Sequence, residues 1–504
     1  EASVHHLRLE EVMYRWKQRT LQLADINVKD AEVAITQSTT TKRDSTSKAT
    51  LPLAVCTENA RITHIGVRYR TPGWELSSRA QALSLGRFAA DTSAAMQLHS
   101  AVLQEGTLLL TAGRREQVKL SSISLHADSL SAAAGGMSGI LRQLTLSESG
   151  GLTLEDAKAR VDIGRDRVRV PYFTLRTENS DISGYLHTSK DKTREVDGYV
   201  AGMVGHADIL HLSALYPPRV AELLTLFPAV PLSFEVAVEG PLEALQLNRC
   251  HVASPTVFVA DVSGMVEGLP GTEAINMRGD MEATIQDIDF VEALLDTAMQ
   301  QRLAIPHDIR IGGQWEYAPD ELSTQLALQI DDGTVLLEGS YRPRAERYAL
   351  TLQTQSLDMQ SILPAEPLGC VSMWASIAGE GYAWKSGESL IDCRARVDSL
   401  VWAERLYTNA LLTANLEDRR LHVEATYADT SAHITLRGDA EGTDKQWKAD
   451  LHAMVSGADL RRLGIAETEI SPTFSSQMTL TCDSLGAYNL RASFYDIALT
   501  SPER

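Results

Sequence analysis

The sequence lacks the residue patterns that most metal and nucleotide sites require. It contains no HExxH motif, no P-loop, no GxGxxG after a strand and no CxxC pair. We therefore expect no metal, no cofactor and no enzymatic activity. Cys393 and Cys482 fall on the apolar phase of their strands, which is typical of small buried side chains, and a disulfide between Cys370 and Cys393 is an alternative only in an oxidising compartment. The five cysteines of the chain are Cys56, Cys250, Cys370, Cys393 and Cys482.

Positive charge and long apolar runs are also scarce. Lys and Arg number 47 against 66 Asp and Glu, which gives a formal net charge of -19. Because no Lys/Arg cluster interleaves with aromatic residues, we expect no nucleic-acid partner. No stretch approaches the ~20 apolar residues that a membrane-spanning helix needs. The hydrophobic content of 44% nevertheless indicates a folded chain.

Strand alternation is what the sequence has instead, and it recurs along most of the chain. In 232–238 the apolar residues Leu232, Phe234, Val236 and Val238 alternate with Ser233, Glu235 and Ala237, and 322–330 repeats the pattern. This period of two is typical of strands with one apolar face. Polar loops separate such pieces every ~10 to 15 residues, which predicts a long antiparallel meander.

A second repeated feature is a short helical segment introduced by an aspartate. We interpret Asp208, Asp289, Asp358 and Asp459 as N-caps of such segments, because each precedes apolar residues at helical spacing. Their uneven spacing excludes a fixed-period solenoid. The longest segments predict helical insertions at 208–227 and 287–303. The Ser/Thr-rich tract 36–50 predicts a flexible loop.

The predicted architecture follows from the need to cover one apolar face. About forty helical residues are too few to cover some thirty strands, so either stacked sandwich domains or one long curled sheet remain. Since linkers between sandwiches are not evident, we expect residues 1–504 to form one continuous groove. The predicted fold class is all-β, a long antiparallel curled sheet with a few short capping helices. Because the sequence begins and ends in strand-like regions, we expect a piece of a longer protein.

This organisation resembles the TamB branch of the AsmA-like proteins. The residues that carry the resemblance are 51–69, 230–245 and the four aspartate-led segments, and the likeness covers most of the chain without an invariant fingerprint. It implies a β-taco, or repeating β-groove, in the periplasm of a Gram-negative bacterium. It also implies an inner-membrane anchor and an outer-membrane barrel partner of the Omp85 type, both through regions outside this sequence.

The candidate site is the apolar stripe of the strands. Twelve of its residues are expected to line a groove for phospholipid acyl chains: Val236, Val238, Leu326, Leu328, Ile330, Leu350, Leu352, Val423, Ile434, Leu436, Leu451 and Leu490. Such residues are ordinarily core, and that interpretation stays open here. The expected function is lipid transport between the inner and outer membranes. The alternatives are a scaffold that assists assembly of outer-membrane β-barrels and a β-solenoid surface protein.

Overall fold

The chain folds into two compact units, Glu1–Pro255 and Thr256–Arg504. The computed structural model describes residues 2–36, 52–71, 73–112, 115–212, 222, 224–271, 274–287, 290, 299, 302–381, 389–442, 446–467, 469–482 and 488–501. Strands dominate both units, and most consecutive strands pair side by side, while β1 pairs with β3 and β5 with β7. The predicted class, all-β with a long antiparallel sheet, is confirmed. The prediction of one continuous groove over 1–504 stays a prediction.

The first unit contains fifteen strands in its described residues. They are β1 Ala2–Glu10, β2 Met13–Arg15, β3 Thr20–Thr36, β4 Ala54–Arg70, β5 Trp74–Leu85, β6 Phe88–Ala90, β7 Met96–Ala112, β8 Arg115–Ala133, β9 Gly136–Glu148, β10 Thr153–Gly164, β11 Arg167–Thr177, β12 Asp181–Ser189, β13 Glu195–Val204, β14 Leu232–Pro241 and β15 Ala244–Ser254. From β7 to β15 each strand pairs antiparallel with the next.

One pair in this unit departs from the predicted meander. Strands β3 and β4 run parallel, with Thr20 opposite Ala54 and Thr36 opposite Arg70. A parallel neighbour requires a connection long enough to return to the starting end of the sheet, and residues 37–53 have that length. Most of the predicted loop 36–50 lies outside the described residues, while Thr36 itself ends β3.

Bulges bend the long strands of the first unit. Asp30 on β3 and His64 on β4 both have positive φ, at 55° each, and lie between the same flanking pairs of the parallel register. His64 Nδ1 lies 3.1 Å from Asp30 Oδ1, so these two residues are joined. Glu105 and Ser122 adopt the same conformation within β7 and β8, and the strand register shifts beside each of them. Such bulges bend a strand and increase its local twist.

The second unit contains fourteen strands in its described residues. They are β16 Phe258–Glu267, β17 Asn276–Ile285, β18 Ile309–Ala318, β19 Glu321–Ile330, β20 Gly333–Arg342, β21 Arg347–Asp358, β22 Leu368–Glu380, β23 Leu390–Trp402, β24 Arg405–Glu417, β25 Arg420–Ala428, β26 His433–Gly442, β27 Trp447–Ser456, β28 Ser471–Cys482 and β29 Tyr488–Thr500. Every strand pairs antiparallel with the next.

The aspartate-led segments are short in the structure. Asp358 caps the 3₁₀ turn Met359–Ser361, as predicted, by accepting a hydrogen bond of 3.0 Å from the backbone N–H of Gln360. Asp459 likewise accepts from the backbone N–H groups of Arg461 and Arg462, at 3.1 Å each. Asp289 and most of the predicted helix 287–303 lie outside the described residues.

The interpretation of Asp208 as an N-cap is wrong. Helix α1, His206–Leu212, begins two residues before it, so Asp208 lies inside the first turn. Its buried carboxylate accepts hydrogen bonds from the hydroxyls of Thr177 and Ser180, which precede β12. The side chain therefore ties the helix to a neighbouring hairpin. Helical backbone recurs at 224–226, and 213–221 and 223 lie outside the described residues.

Glycines mark tight bends in the strands of the second unit. Gly264 on β16 and Gly279 on β17 are directly paired. A Cβ atom on Gly264 would lie 2.2 Å from the carbonyl oxygen of Arg278, and one on Gly279 would lie 2.2 Å from that of Ser263. Only glycine fits where the neighbouring backbone comes this close, which is typical of a sharp bend in a sheet.

Because of this close approach, we expect alanine to lower the stability of the second unit at one glycine and to have little effect at another glycine nearby. Gly279→Ala should destabilise the second unit by about 1–3 kcal/mol, because the new methyl group overlaps with backbone that cannot move freely. Gly312 is the matched control, since a Cβ there would lie 4.0 Å from its nearest neighbour, the carbonyl oxygen of Met281. Urea denaturation followed by tryptophan fluorescence measures both variants. Equal stability of the two would contradict the bend.

Candidate functional site

The strand register places the predicted groove residues of the second unit on one face. Residues directly opposite each other on paired strands point to the same side of a sheet. Leu326 on β19 is opposite Leu337, which is opposite Leu352 on β21. The same tracing from strand to strand reaches Leu436 on β26 and Leu490 on β29. All ten predicted residues between Leu326 and Leu490 share this face, which we call the apolar face.

The apolar face carries almost no charge. Among the described residues from Phe258 on β16 to Phe494 on β29, the register assigns it one charged side chain, Arg405, which lies opposite Trp402 at the start of β24. The opposite face holds the ion pairs, among them Arg394–Asp392, Arg437–Glu424 and Lys448–Asp450. The two faces of the sheet therefore present entirely different chemistry.

Most of the predicted groove residues remain partly exposed. Nine of the twelve are half-buried, Ile330 is buried, and Leu350 and Leu490 are exposed, at 39% and 61%. A sheet covered by a second sheet would bury such side chains, because the two inner faces interdigitate. The apolar face is therefore open along much of its length.

One corner of this face is packed as an ordinary core. Ile309, Ile330, Val335 and Leu357 form a buried cluster. The partly buried residues packed against the cluster include the predicted groove residues Leu328 and Leu352, together with Met359 and Ile362 from the 3₁₀ turn and the residues after it. Ile330 belongs to this core, which stabilises the end of the sheet.

A cavity of about 320 Å³ lies on the apolar face over β23 to β26. Two cross-strand rows form its floor. In one row Ala395 is opposite Leu412, Leu412 is opposite Ala425, and Ala425 is opposite Leu436. The small alanines beside the leucines leave the space. This volume falls within the ~300–1,000 Å³ of typical ligand pockets. The full lining is Ala395, Val397, Ala410, Leu411, Leu412, Ala425, Thr426, Tyr427, Ile434 and Leu436.

Sequence reasoning selected only two of these lining residues, Ile434 and Leu436. It did not select Leu412, because the alternation of β24 is obscured by Leu411, an exposed leucine in the opposite phase. The available signal was the alternation of alanine and leucine in the apolar phase of β24, Ala410, Leu412, Ala414 and Leu416. Alanine alone does not distinguish a cavity from a close contact.

A hydrogen-bonded cluster stands at one end of the cavity. The Tyr427 hydroxyl donates to the Asp429 carboxylate, and its oxygen lies 3.0 Å from Ser431 Oγ. Burial, followed by the hydrogen bond to Asp429, raises the pKa of Tyr427 to about 12. For Asp429, burial acts to raise the pKa, but hydrogen bonds from Ser431, Tyr427 and the backbone outweigh it and leave the pKa lowered. The phenol is therefore neutral and the carboxylate ionised at neutral pH.

The two predicted residues of the first unit also lie on an apolar face. Val236 is opposite Val200 on β13 and Cys250 on β15. Val238 is opposite Gly198 and Leu247. Both valines are half-buried. Their surroundings resemble those of the predicted residues in the second unit.

The remaining candidate features are a disulfide, a metal site and a membrane-spanning helix. Cys393 lies on the apolar face and Cys370 on the opposite one, and they form no disulfide. In the described part of the chain, no group of three or more His, Cys, Asp or Glu side chains could hold a metal ion. No helix within the described ranges combines the length and apolar character needed to cross a membrane.

The raised pKa of Tyr427 predicts a late ionisation. The tyrosinate absorbance that distinguishes the wild type from Tyr427→Phe should develop near pH 12, not near 10.0, the ordinary pKa of tyrosine. Because the folded pKa exceeds the unfolded one, the stability that this group contributes is complete below pH 10 and is lost as pH rises towards 12. Asp429→Asn should lower the pKa of Tyr427, although the burial of the phenol keeps that pKa above 10. An absorbance difference centred at pH 10 would refute this account.

Comparison with known proteins adds no assignment. No protein-family model matches the chain, and no curated protein matches it. The resemblance to the TamB branch of the AsmA-like proteins therefore stays a prediction that depends on the strand pattern.

Proposed function

We propose that this chain is a groove-forming, non-enzymatic carrier of phospholipids between the inner and outer membranes of a Gram-negative cell envelope. The observation that supports it is the apolar face of the second unit, which carries Arg405 as its one charged side chain among the described residues of fourteen strands and is only half-covered. An exposed apolar area of this extent is typical of a surface that binds an apolar partner. Acyl chains are the partner that matches a long, narrow and almost uncharged surface.

The energetics suit transport rather than storage. Each methylene of an acyl chain gains ~0.8 kcal/mol when it leaves water, which offsets the exposure of the face to solvent. Leu326, Val423 and Leu451 are similarly half-buried on strands far apart in the sheet, so the face offers many comparable positions. A lipid that moves between comparable positions meets no single deep minimum.

Bound lipid is the first test. The chain, purified from a Gram-negative host in mild detergent, should retain phospholipid, and native mass spectrometry with lipid extraction should detect more than one phospholipid per chain. A preparation that carries no lipid, and takes up none from phosphatidylethanolamine vesicles, would refute the proposal.

Charges placed on the apolar face should expel lipid. Leu350→Glu and Leu436→Glu should each lower the bound phospholipid at least about tenfold, because an ionised carboxylate against an acyl chain loses several kcal/mol of hydration. Lipid extraction and quantification measure the loss. Circular dichroism should remain that of the wild type.

The opposite face supplies the matched controls. Leu336 and Met454 are 46% and 62% exposed, and the register places them on the ion-paired face. Leu336→Glu and Met454→Glu should retain wild-type lipid. If Leu350→Glu and Leu436→Glu instead unfold the chain, those leucines are core and the groove is absent there.

A second candidate function is a scaffold that assists the assembly of outer-membrane β-barrels. Strand β29 pairs with β28 on one side, and within the described ranges no strand pairs with its other side. Its residues Leu490, Ile497 and Leu499 are exposed by 61%, 64% and 69%. Open edges of this kind template strand addition. Photocrosslinking from β29 to an unfolded barrel protein, without bound lipid, would favour this function.

The third alternative, a β-solenoid, agrees poorly with the strand pairing. Coils of a parallel β-helix stack in parallel, whereas consecutive strands here pair antiparallel.

A further inference from the structure

Two neighbouring hairpin loops of the first unit concentrate positive charge. Residues 164–167 join β10 to β11, and residues 189–195 join β12 to β13. Together they contain five basic residues against Asp166, Asp191 and Glu195, a local net charge of +2 from five minus three in a chain whose net charge is -19. We call the five the basic rim: Arg165, Arg167, Lys190, Lys192 and Arg194.

Hydrogen bonds hold the two loops side by side. The backbone N–H of Lys190 donates to the carbonyl oxygen of Asp166 at 2.7 Å. The Lys190 Nζ donates to the carbonyl oxygen of Gly164 at 2.9 Å. The five cations of the basic rim therefore belong to one surface.

The carboxylates of these loops do not neutralise the basic rim. Asp191 accepts hydrogen bonds from the hydroxyls of Ser189 and Thr193, at 2.7 Å each, and from the backbone of Arg194. The bonds from Thr193, Ser189 and that backbone lower the pKa of Asp191. All five cations are exposed, and none forms an ion pair with a carboxylate of the described residues. Arg160, close to the loops on β10, is by contrast paired with Asp162 at 3.0 Å.

In the first unit, the face that holds Val236 and Val238 reaches the basic rim. Val168 on β11 is opposite Thr188, which is opposite Val196 on β13, so this row extends the face that holds Val236 and Val238. At the other ends of the same strands, residues 148–153 and 177–181 contain Glu148, Glu178 and Asp181 and no basic residue. This face of the first unit thus lies between a basic edge and an acidic edge.

We propose that the basic rim binds the anionic headgroup of a phospholipid whose acyl chains lie over β10 to β13, on the face of the first unit that holds Val236 and Val238. This inference depends on the proposed function and adds an orientation to it. Headgroups lie at the basic rim, and acyl chains point away from it. A phosphate group matches exposed, unpaired cations beside an apolar surface, while the acidic edge repels it.

Charge reversal at the rim tests the proposal. The full chain, as wild type and as the combined variant Arg165→Glu, Arg167→Glu, Lys192→Glu and Arg194→Glu, is incubated with vesicles of equal phosphatidylglycerol and phosphatidylcholine. It is then separated from the vesicles and its lipid is quantified. The wild type should prefer phosphatidylglycerol, and the variant should lose that preference by at least about fivefold. Total lipid per chain should stay within about twofold, because the acyl contacts are unchanged.

The control variant reverses four exposed cations of the same unit that lie outside the two loops. It should retain the wild-type preference. The four substitutions are Arg61→Glu, Arg79→Glu, Lys119→Glu and Arg176→Glu.

The outcomes separate this inference from the proposed function. If the wild type takes up no lipid, both fail. If it takes up lipid and the rim variant keeps the same preference, the orientation is wrong and the carrier function stands. If the wild type binds anionic vesicles stably without removing lipid, the basic rim contacts a membrane surface and the proposed headgroup site is overturned.

A crosslinking experiment locates the headgroup directly. A photoreactive amino acid at Lys192, on the basic rim, should label the headgroup of bound phosphatidylglycerol. The same amino acid at Asn179, an exposed residue of the acidic edge, should label it at least about fivefold less. Equal labelling from both edges would overturn the orientation.

Discussion

The structure depends on one constraint: a sheet that alternates apolar and polar residues must keep its apolar face away from water, and here protein covers only part of it. Directly opposed pairs such as Leu337–Leu352 and Ala425–Leu436 keep the alternation in phase from strand to strand. A slip of one residue would exchange the two faces, so the pattern also specifies the register. The apolar surface that stays exposed, as at Leu350, is then available to contact a ligand.

Curvature is built into the backbone by residues that a flat sheet would not need. The glycine pair Gly264–Gly279 lets two strands approach where any side chain would overlap with a carbonyl oxygen. In the first unit, the register shifts beside Glu105 and Ser122, which have positive φ on neighbouring strands. Bulges and glycines of this kind are the usual means by which sheets bend. The stability of the fold and the shape of its apolar surface therefore depend on the same positions.

Charge is distributed so that it does not interfere with the apolar face. Ion pairs such as Arg394–Asp392 lie on the opposite face and are exposed, so each contributes only ~0–1 kcal/mol to stability. Their value lies in solubility and in discouraging association through that face. At the strand ends, aspartates such as Asp358 and Asp429 satisfy backbone N–H groups of turns. The basic rim differs from these because none of its cations forms an ion pair with a carboxylate among the described residues.

The sequence by itself determined the fold class and the membership of the apolar face. Period-two alternation is a local property, and it correctly grouped Leu326, Leu436 and Leu490 although their strands are far apart. Only the tertiary structure decided that Ile330 belongs to a packed corner while Leu490 is exposed, because burial depends on what other segments cover. The parallel pairing of β3 with β4 and the adjacency of the two basic loops also join segments distant along the chain. Alternation reports which side a residue faces, and only long-range contacts determine what it meets there.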